Sequence, residues 1–204
     1  MTPPTPATPS TPATPSAATP SAATAECVSL TRSLRRRGTL VLSLFAVVWA
    51  FAGASGLTSS GAALAVEITA VPLTAAAIVL AYRKGAAPSP RMVNLPENWA
   101  RAVGIVNVVE VAAIFAVIAA SNASGHPEFI PAAIALVVGL HFFPLARFYD
   151  QWQYRGTAVL LGIVAVAGFA LIAAGLSGES VRAVVGLGSA VVLWVSAYHV
   201  AVKG

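Results

Sequence analysis

Beyond residue 38 the chain reads as six long apolar runs, at about 39–57, 61–81, 102–120, 131–147, 156–176 and 182–202, separated by short polar breaks. At about 1.5 Å of rise per residue each run suffices to cross about 30 Å of hydrocarbon, the fourth being the shortest. Inside a bilayer every backbone N–H and C=O must be bonded within its own segment, so the runs predict helices despite their many Val and Ile residues. The pattern predicts an all-α, polytopic integral membrane bundle of six transmembrane helices over residues 39–204. Only 82–101 is a connection of any length, and Pro88, Pro90 and Pro96 argue against a helix across it. Pro96 and Glu97 suit the first turn of the third helix, with Trp99 at headgroup depth.

The first 26 residues are almost wholly Thr, Pro, Ala and Ser, with TPATPS repeated at 5–10 and 11–16. Such a segment buries too little apolar surface to offset the entropy of ordering it, so residues 1–38 are expected to be a disordered tail ending in a basic cluster. Composition agrees with the spans: 57% of the 204 residues are hydrophobic and 9% charged, where a soluble domain carries roughly 25% charged.

The net charge of +5 invites a nucleic-acid reading, but the basic residues gather at the ends of the apolar runs. With six spans, one side receives Arg32, Arg35, Arg36, Arg37, Arg83, Lys84, Arg91, Arg101, Arg147, Arg155 and Lys203, and the other only Arg182. This is the pattern of a topology signal, which places both termini in the cytoplasm and makes the lipid bilayer, not nucleic acid, the primary partner. A rival reading makes the first run a cleaved signal peptide, because RRRG precedes it and Ala52, Gly53 and Ala54 end it; the apolar stretch is long for one. The Arg, Ala and Val bias suggests a bacterial cytoplasmic membrane. The single cysteine, Cys27, precedes the spans, so no disulfide within the chain and no cysteine metal site is available.

An ionisable group inside the hydrocarbon costs on the order of 3 kcal/mol, so each one calls for an explanation. Glu67, Glu110 and His141 stand out. Counted inward from the outer helix ends they lie roughly 9, 15 and 15 Å deep, which puts Glu110 and His141 at one level. Asn107 and Gly104 precede Glu110 at successive three-residue steps and predict a polar, small stripe that faces the bundle. Thr74 follows Glu67 by seven residues, and Pro72 frees a carbonyl on the same helix. Small-residue spacing at Gly186 and Ala190, and at Ala112, Ala116 and Ala120, predicts close helix packing on either helix six or helix three.

His141 stands one turn before Pro144 in GLHFFPLARFY. With the acidic third helix before it, this segment resembles a group of small, uncharacterised bacterial six-helix membrane proteins. The resemblance covers about 39–203 and implies the six-helix fold and an emphasis on His141 and Pro144, but no reaction or substrate.

Two functions follow from these residues. In the first, Glu67, Asn107, Glu110 and His141 form a buried pocket of a small transporter or proton-linked protein, with Glu67 as an outer station for a proton or small ion. In the second, a non-catalytic membrane subunit or partner protein, in a homo-oligomer or with a partner subunit, uses the same residues only to fix helix packing. A metal held by Glu67, Glu110 and His141 lacks the usual ligand spacing, and no P-loop, dinucleotide fingerprint or HExxH motif is present, so no cofactor is called for and an enzyme is the weakest class.

Overall fold

The computed structural model describes residues 22–84 and 95–203. These form α1 (Ala22–Ala54), α2 (Ser60–Lys84), α3 (Trp99–Ala123), a short 3-10 turn (Pro127–Phe129), α4 (Ile130–Phe148), α5 (Gln153–Ala173) and α6 (Gly178–Lys203), with no strand among the described residues. All six helices contain a stretch long and apolar enough to cross a membrane.

Two boundaries differ from expectation. The tail predicted through residue 38 gives way to helix at Ala22, so the basic cluster Arg32–Arg37 lies within the 33-residue α1, ten residues after its start. After Pro20 the sequence is rich in Ala, Leu, Glu and Arg, good helix formers that hydropathy alone does not register. The remainder of the tail, 1–21, and residues 85–94 of the long connection lie outside the described residues. Pro96 and Glu97 precede α3 rather than opening it: the Trp99 N–H donates to the Pro96 carbonyl at 3.0 Å, forming a turn ahead of the helix.

Around the bundle the helices run in the order α2, α1, α6, α5, α4, α3, with α6 also touching α2 and α4. The first and last helices therefore make the most extensive pair. Gly53 and Gly186 meet where α1 and α6 cross: a Cβ on Gly53 would stand 2.6 Å from the Leu187 nitrogen, and one on Gly186 2.5 Å from Gly53. At the other end of the pair Gly38 faces Val200, so the helices are antiparallel. The α4–α5 seam follows the same logic, with a Gly139 Cβ position 3.2 Å from the Ala158 carbonyl and 3.3 Å from the Gly162 nitrogen. Lipid solvates apolar side chains as well as neighbouring helices do, so close approach over small residues is what selects partners.

α3 is the exception. Among the described elements it packs on α4 and the 3-10 turn alone. Its Ala112, Ala116 and Ala120 are exposed, so of the two small-residue stripes predicted to pack, only the one containing Gly186 and Ala190 does so.

Candidate functional site

Between α1, α3 and α4 lies a cavity of about 410 Å³. Its walls are apolar and aromatic, including Val41, Leu42, Phe45, Val138, Phe142, Leu145 and Trp99, and Tyr154 and Leu193 reach it from α5 and α6. Along α1 the lining runs from Leu34 to Phe45, which is roughly 16 Å of helix. One end carries Arg37, Tyr149 and Gln151, on the side where the basic residues gather. Asn107, Glu110 and His141 line the cavity farther in.

His141 Nδ1 lies 3.3 Å from Glu110 Oε2, and both side chains are largely buried, at 9% and 15% exposed. The distance meets the expectation from their common depth that the two groups come within hydrogen-bonding reach. The contact is nonetheless an ion-pair approach rather than an aligned hydrogen bond, because Nδ1 has no partner in hydrogen-bond geometry. The Phe142 ring packs edge-on to the imidazole at 5.7 Å, and Phe142 in turn packs on Tyr154.

Asn107 lines the cavity one turn before Glu110, but it is exposed rather than turned into the bundle. Gly104 does not continue the inward stripe, since nothing stands within 4 Å of a Cβ built there. Glu67 is placed elsewhere. Its helix, α2, packs on α1 and α6 and touches neither α3 nor α4, so the outer station and the three-ligand set with Glu110 and His141 are not assembled. Glu67 instead precedes Ala70, Thr74 and Ala77 on the inner stripe of α2, where the latter three are buried. Among the described residues no group of three or more His, Cys, Asp or Glu side chains converges on one point.

Several contributors carry no local signal. Gly38 matters because a Cβ there would stand 2.8 Å from the Tyr154 hydroxyl, so its small size admits the tyrosine to the cavity. Trp99 packs on Tyr149 with ring centroids 5.8 Å apart, joining α3 to the end of α4 at the mouth. Tyr149 is held above the ordinary phenol range by burial, so it is a neutral hydrogen-bonding group at physiological pH. A second polar cluster ties α2 to α6: Trp194 Nε1 donates to Thr74 Oγ1 at 3.0 Å, and the Tyr198 hydroxyl donates to the Leu73 carbonyl at 2.9 Å. The Arg36 guanidinium lies over the Tyr82 ring at 4.8 Å, a cation–π contact between α1 and α2. At the opposite end His126 and Glu128 pair at 2.9 Å on an exposed turn, away from the cavity.

The chain matches no family model, no curated protein and no solved structure, so the geometry of the cavity carries the functional reading.

Proposed function

We propose that this multipass membrane protein is a small transporter or proton-linked protein of the bacterial cytoplasmic membrane, in which Glu110 and His141 exchange a proton reached from the cytoplasmic side. The observation that supports it is the position of the pair: a carboxylate and an imidazole 3.3 Å apart that line a cavity of about 410 Å³ rather than closing on each other in a packed core. One proton shared by the two leaves the site neutral with the proton on either partner, which is what permits storage and release in a low-dielectric setting. The eleven-to-one distribution of basic residues supports cytoplasmic termini. Reporter fusions at 30, 90, 150 and 204 are then cytoplasmic and fusions at 58, 125 and 178 periplasmic, and a periplasmic reading at 90 overturns this arrangement.

A second reading, a subunit whose polar pair fixes packing, is favoured by one observation. Glu110 with His141 is an ion-pair contact that ties the side chains of α3 and α4, and α4 is the main support of α3. Trp99 fluorescence separates the two readings, because the indole lines the cavity and responds to its polarity. Under the proton-handling reading the Trp99 signal, isolated against Trp99→Phe, titrates with pH in the wild type and is flat in Glu110→Gln, which keeps its fold. Under the packing reading Glu110→Gln with His141→Asn is tolerated and the wild-type signal is flat.

A further inference from the structure

Three properties of the cavity select what it can hold. α1 and α3 flank it without packing on one another, so among the described elements no helix contact closes it on the side between them. Its lining is dense in aromatic rings: Phe45, Trp99, Phe142, Tyr149 and Tyr154. Its carboxylate sits deep, since Glu110 lies eleven residues, roughly 16 Å of helix rise, along α3 from Trp99.

Resting on the proton-handling reading, we propose that the cavity binds a lipophilic organic cation that enters sideways between α1 and α3, takes Glu110 as its counter-ion and is exchanged there for one proton. Three arguments carry this. A molecule admitted from the hydrocarbon has to be largely apolar, which the open side and the apolar walls select. Aromatic faces attract a desolvated cation and offer an anion nothing comparable. An anion seated beside Glu110 would meet the carboxylate at close range in a poorly screened site, whereas a cation replaces the proton without changing the net charge.

The charged and titratable groups bordering Glu110 are few. His141 comes from α4, Tyr149 from the residue that caps it, Tyr154 from α5 and Arg37 from α1, and α6 contributes only Leu193. Arg37 is exposed and stands at the mouth, where water and headgroups screen it, so it repels a cation arriving through the mouth more than one already seated beside Glu110. The exchange balances simply: the cation arrives, the Glu110 proton leaves to water through the mouth, and the reverse step restores the protonated pair.

The test uses the full chain in lipid nanodiscs and three probes, tetraphenylphosphonium, tetramethylammonium and laurate. Tetraphenylphosphonium should bind saturably, quench Trp99, release about one proton per molecule bound and bind about tenfold more weakly for each unit that pH falls below the titration of Glu110. Tetramethylammonium, with the charge but not the apolar surface, and laurate, with the opposite charge, should bind at least tenfold more weakly. Glu110→Gln should lose proton release and most of the affinity, Glu110→Asp should retain both, and Phe45→Leu should weaken binding by roughly threefold. Absence of tetraphenylphosphonium binding to the wild type, equal binding by Glu110→Gln, or preference for laurate overturns the proposal. If the ligand-free Trp99 signal still titrates through Glu110 in that event, the proton-handling reading stands and only the ligand class is wrong; if it is flat, both fall.

Discussion

The α1–α6 seam and helix α3 are built from similar material and used in opposite ways. In the apolar stretches of α1 and α6, 44% of residues are buried within the protein, against 6% in α3. Both α3 and α6 carry small residues at four-residue spacing, yet Gly186 is in backbone contact with Gly53 while Ala112, Ala116 and Ala120 face outward. Small residues permit close packing, and a reciprocating small residue on the partner makes it happen: Gly53 answers Gly186. The helix left thinly attached is the one that carries Glu110 and borders the cavity. A tight seam and a loose helix are what a protein needs if its core is to hold while one side of a cavity admits a ligand.

The contrast breaks most easily at the seam. Gly186→Leu should have the largest effect, because its new side chain meets the Gly53 backbone and neither helix can yield without separating. We expect a loss of about 3 kcal/mol or more, read as loss of a monodisperse species in mild detergent. Gly38→Ala comes next: the added methyl group meets the Tyr154 hydroxyl of a buried side chain, and about 1–2 kcal/mol of stability should go together with a changed Trp99 environment. Thr74→Val removes the acceptor of Trp194 Nε1 and should cost about 1 kcal/mol in thermal unfolding, with the cavity unaffected. Ala116→Leu, on the exposed face of α3, should change stability by less than about 0.5 kcal/mol. A cost at Ala116 comparable to that at Gly186 would mean that α3 packs on a second copy or partner, and would favour the subunit reading.

The sequence made the spans legible because the bilayer leaves the backbone one solution, and every predicted run falls on a helix. It also yielded the Glu110–His141 approach, since both depth and the short α3–α4 connection are local quantities. Glu67 shows the limit of the same count. Depth gives a level but not a direction, and the helix carrying Glu67 neighbours α1 and α6 rather than α3. The α1–α6 pairing that sets those neighbours joins opposite ends of the chain, where nothing local announces it. Arg37, Gly38, Trp99 and Tyr154 were unreadable as site residues for that reason: each is ordinary on its own helix and acquires a role only when α1 stands across from α3 and α4.

Proton exchange at Glu110 inside the cavity can be seen by infrared difference spectroscopy of the reconstituted protein. A protonated carboxyl has a C=O stretching band that the carboxylate lacks, and Glu110→Gln assigns it. The Glu110 band should disappear reversibly as pH rises and should shift in His141→Asn, since the group beside the carboxyl has changed. A Glu110 that keeps one protonation state across the range in which the protein stays folded would contradict the account and leave the pair as a packing contact.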